Sequence, residues 1–305
     1  MRKQAVIGVA TLALAIGTVG YVAASDGGQR SDRTAVGSQA ALGTGLPGAA
    51  AADRLVVVGL TSDQRLVSFR ADRPKVAVPL GAVSGLKGDA KLIGIDYRVQ
   101  NNKLYGVGDR GGIYTLREAG ARATKVSQLT VALQGKAFGV DFNPAANRLR
   151  VISDTGQNLR HNLDDPAGAP AAGTTAVDGT LTNPPVPPNP GATALGVTGA
   201  AYTNNDLDAT TATTLFDLDT SLDQVSVQSP ANAGNLAPTG KLGIDAPLNS
   251  GFDIYSSARS GTNTGYAVTG GQVFRVNLLT GKATSVGSFS GGRRVVDLAI
   301  PLRQG

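Results

Sequence analysis

Four aspartates stand at matching places along the chain. Asp96, Asp141 and Asp253 close the segments Gly94-Ile95-Asp96, Gly139-Val140-Asp141 and Gly251-Phe252-Asp253, and Asp297 closes Val295-Val296-Asp297. Carboxylates gathered at one place do one of two things. They hold a hard cation such as calcium or magnesium, or they are driven towards their neutral forms by burial and mutual repulsion. A structural role is the alternative, each aspartate capping backbone amides or pairing with an arginine between repeated units. A further segment of the same kind, Gly199-Ala200-Ala201, carries alanine where the acid stands elsewhere, which breaks any strict ring of ligands.

A second polar group runs from Ser153 to His161. Asp154, Gln157, Asn158 and Arg160 suit a patch for a sugar or another polar ligand, around a strand reversal. Ser153, Asp154 and His161 are also the residue types of acyl transfer. No Gly-x-Ser-x-Gly elbow accompanies them, and His161, inside an expected strand, reads as facing solvent. Asp217, Asp219 and Asp223 lack the spacing of a calcium loop and read as turn residues.

Composition narrows the chemistry further. The 305 residues include no cysteine, one histidine and one methionine, and Glu118 is the only glutamate. Disulfide scaffolds, thiolate zinc sites, iron–sulfur clusters and cysteine nucleophiles are therefore excluded. No organic cofactor is implied. Hydrophobic residues at 41% provide for a sizeable core, so a wholly disordered chain is excluded as well.

The elements that position these residues are short strands in a repeat. Each Gly-apolar-Asp strand is followed by a polar turn and a second strand, such as Lys103 to Val107 or Arg148 to Ile152. A hairpin comes next, as in Gly112 to Leu116, Leu215 to Asp219 and Gln272 to Asn277. The unit recurs roughly every 45 to 60 residues, the period of four-stranded propeller blades. An all-β propeller of about five blades is predicted, or six if the insert after the second repeat hides another.

The two ends complete one blade together. Residues 55–80 supply second, third and fourth strands without a first, and residues 293–302 supply a first strand with nothing after it. Pairing them closes the ring and removes an open sheet edge. The insert carries Thr182-Asn183-Pro184-Pro185-Val186-Pro187-Pro188-Asn189-Pro190, which favours polyproline II and reads as a surface connection or a lip over one face.

Ahead of the domain, Met1-Arg2-Lys3-Gln4 precedes an uncharged apolar run from Ala5 to Ala24. Residues 1–24 read as a secretory signal cleaved after Ala24, or as an uncleaved membrane anchor. Residues 25–53 read as a flexible linker and 54–303 as the propeller. A secreted or surface-held protein is expected. Charge is unevenly spread: residues 54–160 carry 17 Lys and Arg against 8 acids, and residues 161–253 carry one lysine against 10 aspartates. No run of basic residues exceeds two and aromatics are few, so nucleic acid is not the expected partner.

Two stretches carry a family resemblance. Ala137-Phe138-Gly139-Val140-Asp141-Phe142-Asn143-Pro144 with Arg148 to Arg160, and Ala201 to Asn205 with Gly251 to Ile254, resemble the bacterial family of secreted proteins called domain of unknown function 4394. The resemblance spans about residues 55 to 300. It implies the domain limits and carries over no catalytic residue, substrate or partner. Two functions stay open: a binding or scaffold module for an extracellular glycan, peptide or wall component, and a hydrolase or lyase using aspartates, with or without a divalent cation, in the central funnel.

Overall fold

The computed structural model describes residues 54–208 and 210–304. The expected signal or anchor and the linker, residues 1–53, lie outside these residues. Among the described residues no helix is long and apolar enough to cross a membrane.

Among the described residues, twenty strands form five four-stranded antiparallel sheets. Blade I contains β1 (Val56–Thr61), β2 (Arg65–Arg70) and β3 (Arg73–Ala82). Blade II contains β4 (Leu92–Arg98), β5 (Lys103–Gly108), β6 (Gly112–Arg117) and β7 (Arg122–Gln128). Blade III contains β8 (Phe138–Asn143), β9 (Arg148–Ser153), β10 (Asn158–His161) and β11 (Thr175–Val177). Blade IV contains β12 (Val197–Tyr202), β13 (Leu215–Asp219), β14 (Gln224–Gln228) and β15 (Leu236–Lys241). Blade V contains β16 (Gly251–Ser256), β17 (Asn263–Thr269), β18 (Gln272–Val276) and β19 (Ala283–Ser288). The last strand, β20 (Val295–Ala299), pairs antiparallel with β1 through Val58↔Ala299 and Leu60↔Asp297 and so becomes the innermost strand of blade I. The predicted closure by the two termini is present, and the blades number five.

The innermost strands β20, β4, β8, β12 and β16 neighbour one another in that order around the axis, and β16 returns to β20. Alternation within each strand sends successive side chains to the two neighbouring blades. Val57 and Phe69 pack with Tyr266 and Val268 between blades I and V, where Phe69 meets Phe289 edge-on at 5.0 Å. Val58, Leu60 and Leu66 pack with Ile95 and Tyr114 between blades I and II. Each such buried side chain contributes on the order of 1.5–3 kcal/mol. The outermost strands are different: Val76 and Val78 on β3 are exposed, and their alternation is correspondingly weak.

The repeated glycine has a packing cause. A Cβ on Gly139 would sit 2.6 Å from the amide nitrogen of Ala200, and one on Gly251 would sit 2.4 Å from the Cα of Asp297. Both obstacles are backbone of the next blade, which cannot rotate away. Gly251→Ala is therefore expected to lower stability by about 1–3 kcal/mol by overpacking, read as a lower urea midpoint with an unchanged slope.

The proline-rich insert does not stay extended. Val186 and Asn189 bridge in a tight reversal, and Thr182 pairs with both Thr193 and Asn235. Leu181 and Ala194, fully buried, plug the interface between blades III and IV, so the insert is anchored in the ring.

Candidate functional site

Four of the five innermost strands bring Asp96, Asp141, Asp253 and Asp297 to the axis, each between 4% and 8% exposed. One carboxylate oxygen from each of Asp96, Asp141 and Asp253 lies within 4.8 Å of the others. Each acid also accepts a backbone N–H from the next blade. Asp297 Oδ2 accepts from Ile95 N at 2.7 Å, Asp96 Oδ2 from Phe142 N at 2.8 Å, Asp141 Oδ1 from Tyr202 N at 3.2 Å, and Asp253 Oδ2 from Ile300 N at 2.7 Å. At Ala201 this link is missing. Blades IV and V are joined there by Asn204 N donating to Ser256 Oγ at 2.7 Å and by Asn205 Nδ2 donating to the Ile254 carbonyl. Capping of neighbouring amides and gathering at the axis are thus features of the same residues.

Electrostatics at the axis is governed by desolvation. Burial, then repulsion from Asp253, raises the Asp96 carboxyl well above its ordinary range, and burial with repulsion from Asp96 and Asp253 does the same to Asp141. Burial raises Asp297 too, while Asp253, cushioned by the Ile300 and Ile254 amides, is raised to about 7. Three carboxyls this close can share protons or hold a hard cation with oxygen ligands. A cavity of about 200 Å³ opens over one end of the axis, with Phe138, Thr198, Ser250 and Val296 in its wall and Lys91 and Lys136 beside them.

The residues of the second polar group part company. Asp154 Oδ1 accepts from Lys136 N at 2.7 Å and Gln157 Oε1 from Gln134 N at 2.9 Å, which pins the connection leading into β8. Asn158 and Arg160 serve another place. Asn158 Oδ1 accepts from Arg150 Nη1 at 2.7 Å, and Arg160 Nε donates to Asp178 Oδ2 at 3.1 Å. His161 does not face solvent as expected. It is fully buried between Ser127 Oγ and Thr175 Oγ1, both at 2.9 Å, and desolvation lowers its pKa to about 4. The bond to Ser127 of β7 turns it towards blade II, away from Ser153, whose hydroxyl pairs instead with Thr155.

Turn chemistry holds for Asp219, which accepts from the Ser221 and Leu222 amides, both at 2.9 Å. It does not account for Asp217, which is fully buried on the face of β13 turned to blade III, where neither oxygen has a hydrogen-bond partner among the described residues. Glu118 accepts from Tyr97 Oη at 2.6 Å.

Two places escaped the reading of the sequence. Arg148 and Arg150, on β9, are almost entirely buried, and their alternation in a strand between apolar neighbours is the signal that marks them. The other is a cleft of about 670 Å³ between blades IV and V, lined by Thr203, Asn204, Phe216, Thr264, Arg275 and Lys282 among others. It is assembled from four strands and two loops of separate repeats, so no local motif announces it.

Ring, closure and axial acids together define a five-bladed β-propeller with a carboxyl-lined centre. The chain belongs to the family described as domain of unknown function (DUF4394), which matches residues 65–299. No curated protein matches it. Among solved structures, a chain of a nidogen/laminin complex aligns at 11% identity and a TM-score of 0.43, covering 82% of this chain and 99% of that one. A protein of unknown function from Bacteroides thetaiotaomicron aligns at 13% identity and 0.43, covering 84% and 69%. An auxiliary nutrient binding protein from the same organism aligns at 9% and 0.40, covering 82% and 62%. Likeness at these values assigns no function.

Proposed function

We propose that this propeller is an exported or surface-held binding module whose ligand is an acidic, polyhydroxylated polymer of the extracellular space, seated in the cleft between blades IV and V. The composition of that cleft carries the reading. Its hydroxyl and amide side chains both donate and accept, which matches the hydroxyls of a glycan. Arg275 and Lys282 supply positive charge, and no carboxylate lines the cleft among the described residues. Phe216, Leu278 and Leu279 add apolar atoms to its lining, which suits the apolar faces of a sugar ring. The apolar segment Ala5–Ala24 supports export.

Binding is preferred to hydrolysis in the funnel for a geometric reason. The axial carboxyls have the raised pKa values that suit a general acid. With 8% exposure or less, however, they leave no space for a glycosidic bond between them.

Retention of the protein on immobilised acidic glycans (alginate, hyaluronate) and a neutral one (dextran) tests the proposal. Retention on the acidic gels, weakening with salt and falling about tenfold in affinity in Lys282→Glu, is expected. Equal behaviour on dextran, or an unchanged Lys282→Glu, overturns it.

A further inference from the structure

Independently of that cleft, we propose that a small cavity between blades III and IV, walled by Arg148, Arg150 and Arg160, binds one oxyanion group: a phosphate, sulfate or carboxylate. The cavity measures about 130 Å³, with Asn143, Tyr202 and Asn232 completing its wall. That is room for roughly four waters by their share of liquid volume, enough for one such group and too little for a sugar ring.

Donor bookkeeping shows why the cavity suits an anion. Each guanidinium has five N–H groups. Arg150 spends four, on Tyr202 Oη, Asn158 Oδ1, Asp178 Oδ2 and Asn232 Oδ1. Arg148 also spends four, on the carbonyls of Ala169, Ala146 and Asn147 and on Asp165 Oδ2. Arg160 spends three, on the two oxygens of Asp178 and on the Ala169 carbonyl. Four N–H groups on three cations bordering one cavity are therefore left without an acceptor among the described residues.

Charge points the same way. Asp178 pairs with both Arg150 and Arg160 and Asp165 with Arg148, so three guanidiniums share two carboxylates. Arg148 and Arg150 are 5% and 2% exposed, where an unmatched charge is costly. Nearby Arg98 is already matched by Asp164. Asp217, the remaining carboxyl within electrostatic reach of Arg150, makes no hydrogen bond to it, and its burial favours the neutral form. An oxyanion supplies both the missing charge and the missing acceptors, in the bidentate geometry that guanidinium prefers.

Thermal unfolding of the full chain, titrated with sodium phosphate against sodium chloride at equal ionic strength, tests this. Ligand linkage predicts a rise in Tm of roughly 3–6 °C at ten times the Kd. Asn232→Asp places a carboxylate oxygen where Arg150 already finds an amide oxygen. It is expected to raise Tm in chloride and to abolish the phosphate response. Arg160→Gln, the change at the least buried of the three, is expected to lose the response without the gain. Glycerol phosphate tells the source: a shift equal to that of inorganic phosphate marks a group carried on a larger ligand, and a shift with inorganic phosphate alone marks a free ion. Because phosphate also stabilises proteins by exclusion from their surface, a rise that persists undiminished in both variants overturns the proposal, as does the absence of any rise.

Discussion

Raising the pH from 4 to 8 is expected to weaken this fold, and Asp141→Asn is expected to remove part of the loss. The axial carboxyls are the cause. In the unfolded chain an aspartate ionises near 3.9, whereas in the ring Asp253 is raised to about 7 and Asp96, Asp141 and Asp297 are raised well above the ordinary value. A pKa that is higher in the folded state means that the native form holds its proton more tightly. The resulting stability is complete below the unfolded pKa and disappears as pH rises through the folded one. For Asp253 alone the difference corresponds to about 4 kcal/mol by the usual conversion.

His161 works in the opposite direction. Its pKa is lowered to about 4, so its contribution is present above the unfolded value and is lost as pH falls through 4. One imidazole opposes four carboxyls, and the fall with rising pH prevails. Asp141→Asn keeps the oxygen that accepts the Tyr202 amide and removes one charge from the cluster. Urea unfolding at intervals from pH 4 to 8 should show the variant more stable than the parent at pH 8 by about 1–3 kcal/mol, with a flatter profile. Parallel profiles for the two proteins would show that Asp141 does not share the cluster's charge. The same samples decide between protons and a cation: millimolar calcium at pH 8 raises the parent's midpoint, and a chelator cancels the rise, if hard-ion binding offsets the repulsion. Proton sharing alone leaves calcium without effect.

Deleting residues 295–305 is expected to abolish cooperative unfolding altogether. That segment is the innermost strand of blade I and the strand against which β1 pairs, at Val58↔Ala299, Gly59↔Leu298 and Leu60↔Asp297. It also carries Val295, Leu298 and Ile300, which pack in the cluster between blades V and I, and Ala299, which packs between blades I and II. Its loss removes Asp297 from the Ile95 amide and leaves Asp253 without the Ile300 amide. Two blade interfaces then open at once, and the edge of β1 is exposed to pairing with other chains. The loss is comparable to the whole stability of a domain, about 5–15 kcal/mol. Near-ultraviolet circular dichroism and limited proteolysis of the truncated chain provide the readout. A sharp, parent-like urea transition in the truncated protein would show that the four remaining blades hold without the closing strand.

Much of this architecture is written locally. Lys103 to Val107 and Gln272 to Val276 announce themselves as strands because successive side chains point to opposite faces, and that period is a property of the segment itself. The closure was legible for a similar reason: a lone first strand at one end and three partnerless strands at the other leave a single way to complete a blade. The recurrence of Gly94, Gly139, Gly199 and Gly251 was equally visible, and Asp96, Asp141, Asp253 and Asp297 could be placed together at the axis from their position in the repeat. What those carboxyls touch was another matter, because their amide partners lie one blade away. The burial of His161 against Ser127 and Thr175, the anchoring of the proline-rich insert and the turn of Asn158 and Arg160 away from Asp154 and Gln157 all depend on which neighbouring blade a side chain meets. The cleft at Phe216 and Lys282 and the arginine cavity at Arg148 and Arg150 are likewise surfaces between repeats. Strand periodicity records that a residue is turned inward, whereas its partner is chosen only when the ring closes and brings segments distant in sequence into contact.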